Sequence, residues 1–143
     1  MSKVPRKQYC IYGTWRDSTT ETWSAVTDAS TGETLAEVPF CTALELQAAI
    51  QSAQEAFTAW SALSLAKRTQ MLFAWRNILV EHLDELTLLC AKELGKNLNE
   101  ARGDVIKAIE ATEFACGLPS IIQGQGALQV TTGFDTSTYR VPL

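Results

Sequence analysis

The sequence predicts an α+β fold in a single domain over residues 1–143: a mainly helical layer of three to four helices at 42–118, between an N-terminal hairpin system at 1–41 and a C-terminal hairpin at 124–143. Three observations lead there. Through the middle, apolar residues recur at steps of three and four, which puts them on one side of a helix. Both ends instead carry aromatic and β-branched residues separated by glycine, aspartate and threonine, the pattern of short strands and turns. Composition completes the case, since 46% hydrophobic and 20% charged residues is ordinary for a folded chain. A chain of 143 residues is long enough for one core, and a folded domain of that size buries roughly 68–70% of its unfolded surface.

Taken in order, Gln8 to Trp15 reads as two short strands turning at Gly13, followed by a polar loop from Arg16 to Thr22. Thr22 to Thr27 is a strand, Asp28-Ala-Ser-Thr-Gly32-Glu33 a tight turn, and Thr34 to Phe40 an extended piece closed by Pro39. Thr42 with Glu45 has the spacing of a capping box. Behind it Leu46, Ala49, Ile50, Ala53, Phe57 and Trp60 form one stripe, which should end near Ser61. A second helix starts at Leu65 with Ser64 as its cap, its stripe running through Leu72, Trp75, Ile78 or Leu79, and Leu83. Leu86, Leu89, Cys90 and Leu94 keep the period past His82, so this is one long helix or two joined at a bend, stopped by Gly95. The next helix is capped by Asn97 or Asn99. It carries Val105 or Ile106, Ile109, Thr112 or Glu113, and Cys116 on one face, and Pro119 limits it. After Gly124-Gln-Gly126 the period changes to two at Leu128 and Val130, with a turn expected at Gly133-Phe-Asp135 and a returning strand from Thr138 to Leu143.

A net charge of −4 and a pI near 5.0 argue against a nucleic-acid partner. The basic residues Lys3, Arg6 and Lys7 read as a solvated N-terminal tail. No apolar run is long enough for a membrane span or shaped like a secretory leader, so a cytoplasmic protein without a membrane partner is expected. Cys10, Cys41, Cys90 and Cys116 are scattered and share one histidine, which excludes the common zinc spacings. Cys90 and Cys116 fall on apolar helix faces, as small buried hydrophobes do. His82 reads as a helix-surface or bend residue with no partner arranged for proton transfer. Gly124-x-Gly126 follows a helix, the wrong context for a dinucleotide fingerprint.

A set of short motifs carries more. Ile11-Tyr-Gly13-Thr-Trp15, Asp28 to Glu33 with Ala36-Glu-Val-Pro39, Ala48 to Trp60, Arg68 and Glu93-Leu-Gly95-Lys96 stand in an order and spacing that resemble the N-terminal portion of the aldehyde dehydrogenase superfamily. Glu100-Ala-Arg-Gly-Asp104-Val, Glu113-Phe-Ala-Cys116 and Thr138-Tyr-Arg-Val-Pro-Leu143 resemble its methylmalonate-semialdehyde branch, whose members make an acyl-CoA from a semialdehyde with NAD and coenzyme A. By that resemblance, an arginine one turn after the Gly-Asp pair helps hold the substrate carboxylate. Lys107 stands at its position, and Asp104 and Lys107 are the two substrate-contact positions implied. Lysine keeps the charge and loses the two-pronged fork of arginine. Asp104 and Lys107, three residues apart, are expected to form a surface ion pair.

The resemblance also implies that the NAD-cradling unit, the nucleophilic cysteine and the glutamate base lie outside the matched portion. It therefore describes a truncated, non-catalytic dehydrogenase-like domain with no catalytic, cofactor-binding or metal-binding residue, itself binding neither NAD nor coenzyme A. In such enzymes the long helices pack on the coenzyme domain and the last hairpin joins subunits. A homo-oligomer is accordingly expected, through the exposed helix face and the hairpin at Ala127 to Val141 paired across a two-fold axis. The alternative is an assembly module that pairs with itself or with a full-length dehydrogenase.

Overall fold

The structure, a computed structural model, describes residues 4–141. Its elements are β1 (Tyr9–Ile11), β2 (Thr14–Arg16), β3 (Trp23–Thr27), β4 (Thr34–Pro39), α1 (Ala43–Ala62), α2 (Leu65–Glu81), α3 (Leu83–Leu94), α4 (Leu98–Cys116), the single turn α5 (Leu118–Ile121), β5 (Gly126–Thr131) and β6 (Phe134–Ser137). The strands form three separate antiparallel pairs, β1–β2, β3–β4 and β5–β6. Hairpins at both ends of a helical layer make this the α+β architecture the sequence predicts.

Local chemistry sets the helix boundaries. At the start of α1 the Thr42 hydroxyl accepts from the Glu45 N–H at 3.3 Å while the Glu45 carboxylate accepts from the Thr42 N–H at 2.7 Å, the reciprocal box. Glu45 also accepts from the Thr19 N–H and the Ser18 hydroxyl, each at 2.8 Å, so the polar loop is tied to the helix start. Ser64 caps α2 through the Lys67 N–H, and Asn97, not Asn99, caps α4 through the Glu100 N–H. His82, at φ −98° and ψ 14°, leaves helical geometry and divides α2 from α3, so the bent alternative is the one adopted. Gly95 ends α3 at φ 65°, a left-handed conformation that costs glycine little.

The expected N-terminal tail is a correction. Arg6 stacks on the Trp23 ring at 4.4 Å and pairs with Glu37 at 3.0 Å, and residues 5 to 7 run parallel to β4, the Lys7 N–H donating to the Glu37 carbonyl and the Glu37 N–H to the Pro5 carbonyl. Glu37 supplies a backbone partner and a counter-charge at once, so the segment docks. Lys3 lies outside the described residues.

The last hairpin is shifted from its expected register. The chain reverses at Thr132 and Gly133 (φ 81°), and Phe134 and Asp135 belong to β6 instead of the turn. Thr138 to Val141 form no strand, and Pro142 and Leu143 lie outside the described residues. Two contacts explain the shift. The Asp135 carboxylate accepts from the N–H of Gln129, which at φ 48° breaks the alternation of β5, and Thr138 is clamped to Gln125 by its N–H and hydroxyl. A Cβ on Gly124 would come 1.9 Å from the Thr138 carbonyl oxygen, so this close approach requires glycine.

The core is small. It lies where α2, α3 and α4 meet, around Ala101 (0% exposed), Ile109, Cys116 and Thr87, whose hydroxyl donates to the Leu83 carbonyl at 2.7 Å. Ile11 and Ala36 are buried on the hairpin side. The molecule exposes 11,109 Å², against about 7,300 Å² for a compact monomer of its mass. Only about half of the unfolded surface is buried, not the two thirds expected.

Candidate functional site

Asp104 and Lys107, the positions singled out by sequence, lie one turn apart on α4, with Asp104 reached from the corner between α3 and α4. The corner is built from the turn at Asp28, whose carboxylate accepts from the Ser30 and Thr31 N–H groups and holds the turn rigid. Ala29 then donates its N–H to the carbonyl of Lys92 in the last turn of α3. A Cβ on Gly95 would lie 3.1 Å from the Ala29 Cβ, so the glycine also lets the turn sit close. Lys96 follows in the link to α4, where its ammonium pairs with the Asp104 carboxylate.

This pair replaces the expected one between Asp104 and Lys107. The hydrogen bond from Lys96 is the main reason that Asp104 stays below the usual carboxylate range, with Lys107 adding a smaller attraction, and the same bond raises Lys96. Among the described residues Lys107 makes no ion pair. The corner thus presents an ionised, already partnered aspartate and, one turn on, an available cation. Its chemistry is attraction of an anion. Glu93-Leu-Gly95-Lys96 marked Lys96 as a motif residue, but its spacing did not show that the reversal between α3 and α4 brings it to Asp104, eight residues on.

Elsewhere, no group of three or more His, Cys, Asp and Glu residues converges among the described residues. Cys116 is buried, Cys90 half-buried, and Cys10 and Cys41 exposed, all four as free thiols. His82, read from sequence as unpartnered, has its Nδ1 2.8 Å from the Glu85 carboxylate, an exposed pair at the bend.

More of the surface is apolar and bare. The α1 stripe is real, yet Leu46, Ile50, Phe57 (40%) and Trp60 (43%) are exposed and α1 buries no residue. On α2, Leu72 and Leu79 turn inward, so Leu79 and not Ile78 belongs to the stripe, but Trp75 (53%), expected in it, faces out with Ile78, Met71 and Phe73. A helix apolar around most of its circumference is built to be covered on more than one side. Every residue of β5 and β6 is exposed.

Hairpin, capped helices, the Gly95 corner and the returning hairpin are together the architecture of an aldehyde dehydrogenase's N-terminal portion. Residues 15–143 match the aldehyde dehydrogenase family, and the chain belongs to it. It is 37% identical over all 143 residues to a malonate-semialdehyde dehydrogenase of Listeria monocytogenes and 38% identical over 133 residues to one of Bacillus pumilus. Among solved structures it is similar to a methylmalonate-semialdehyde dehydrogenase from Oceanimonas doudoroffii (TM-score 0.82, 27% identity, 94% of this chain and 27% of that one). A Sinorhizobium meliloti chain assigned the same activity, solved with NAD, matches with a TM-score of 0.85 at 25% identity over 96% of this chain and 28% of that one. The chain spans 29% of the length of the Listeria relative and 27% of the Bacillus one. None of its described helices is long and apolar enough to cross a membrane.

Proposed function

We propose that these residues are the assembly part of a semialdehyde dehydrogenase-type protein and carry out no aldehyde oxidation by themselves. Oxidation by this family's route needs a thiolate nucleophile, a hydride acceptor held against it and donors for the developing oxyanion. NAD and coenzyme A are, on this reading, partners of a full-length protein, and Asp104 with Lys107 would touch a substrate carboxylate only there. A cytoplasmic setting goes with this reading.

The observation that carries the reading is the exposed area. An excess of several thousand Å² over a compact monomer exceeds the ~800 Å² per partner of a standard interface. The β5–β6 hairpin adds two open edges, and an isolated two-stranded pair is marginal in water. Self-association across a two-fold axis through this hairpin, with the α1 and α2 faces covered by a second chain, meets both needs. Size-exclusion chromatography with light scattering at tens of micromolar should give a dimer or larger species, and a clean monomer would overturn self-association. The bareness of the entire α1 stripe favours a second reading, pairing with a full-length dehydrogenase. Hetero-oligomers on mixing with such a relative, in the same chromatographic experiment, would decide for it.

A further inference from the structure

Arg68 lies in the first turn of α2, its N–H donating to the carbonyl of the cap residue Ser64 at 3.1 Å. That turn holds no acidic residue, so a cation sits unaided at the positive end of the helix dipole. The Arg68 Nε is buried and has no hydrogen-bond partner among the described residues. Buried polar groups in folded proteins are almost always satisfied, and an exception asks for an acceptor. Beside it is a cavity of about 200 Å³ lined by Leu65, Arg68, Ile122, Arg140 and Val141. The start of α2, the end of α5 and the segment after β6 thus bring two guanidinium-bearing residues and three aliphatic ones to one place. Among the described residues no acid lines the cavity and neither arginine makes an ion pair. In a chain of net charge −4 this is a local concentration of positive charge.

We propose that this cavity binds a short aliphatic carboxylate. Its oxygens accept from Arg68 and Arg140, and its hydrocarbon part lies against Leu65, Ile122 and Val141. Guanidinium is the group suited to a carboxylate, since its planar fork offers two parallel donors. The aliphatic walls distinguish a carboxylate with a tail from inorganic phosphate, which has nothing to lay on them. The site is separate from the α3–α4 corner and involves no bond making.

The test is a titration of the full chain with butyrate, and in parallel with inorganic phosphate, read from the arginine Nε–H resonances. Butyrate should shift the Arg68 resonance saturably in the millimolar range, with phosphate several-fold weaker. Arg140 is exposed, so Arg140→Gln should leave the fold intact and weaken butyrate about tenfold through the lost charged hydrogen bond. Arg68→Lys keeps the charge without the fork and should weaken it comparably. No saturation at tens of millimolar, equal affinity for phosphate, or unchanged binding by Arg140→Gln would each overturn the proposal. The outcome does not depend on whether the chain self-associates.

Discussion

Helices α1 and α4 are nearly the same length, 20 and 19 residues, and both begin with a satisfied side-chain cap. They differ in what lies beside them. Helix α4 is wedged between α2 and α3, with Ala101, Ile109 and Cys116 buried and with ion pairs to both neighbours, Arg76 to Glu113 and Arg102 to Asp84. Helix α1 buries nothing, and apart from its tied ends it is held to the rest by few contacts, including the hydrogen bond from the Tyr12 hydroxyl to Glu55. A helix can therefore be fully specified by its ends and its stripe without the chain supplying what the stripe is for.

Mutation should expose that difference most strongly in the two isoleucines. Ile109→Ala removes a buried side chain of α4 and should cost about 2–5 kcal/mol at any concentration, whereas Ile50→Ala in the α1 stripe should stay within about 0.5 kcal/mol in the dissociated chain and cost more only at concentrations where a second chain covers α1. Urea denaturation of both variants measures it, and a comparable loss at Ile50 would show that α1 is covered in solution. Thr42→Ala, which removes one half of the α1 capping box, should cost about 1 kcal/mol, mostly as fraying of α1 seen by hydrogen exchange.

The smallest effect is that of pH on the same cap. Backbone donors from Thr19 and Thr42, with the Ser18 hydroxyl, push Glu45 down to about 2. Because the folded value lies below the unfolded one, the contribution is complete above the ordinary glutamate range and is lost as pH falls through the folded value. Amide protection at Thr19 and Thr42 should accordingly persist at pH 4 and decline toward pH 2, and Glu45→Gln should flatten that decline.

Much of this was legible in the residues. Thr42 with Glu45, Ser64, Asn97 and Gly95 act within one turn of the helix they bound, so spacing alone reveals them. Trp75 was misplaced, and Ile78 could not be told from Leu79, because α2 is apolar on more than one side and period cannot choose which side the neighbouring helices take. The hairpin register shifted by contacts between Gln129 and Asp135 and between Gln125 and Thr138, side-chain choices that alternation does not encode. Lys96 was missed as the partner of Asp104 because the pair forms across the link between two helices, which the period of neither helix encodes.

The turn at Asp28 has a kinetic consequence. Ala29 and Gly95 touch across more than sixty residues of intervening chain, and closing a loop of that length costs on the order of 4 kcal/mol in entropy. Helices made of neighbouring residues form well before such a closure. The Asp28 turn should therefore dock on an α3 that is already formed, like a latch dropping onto a finished frame.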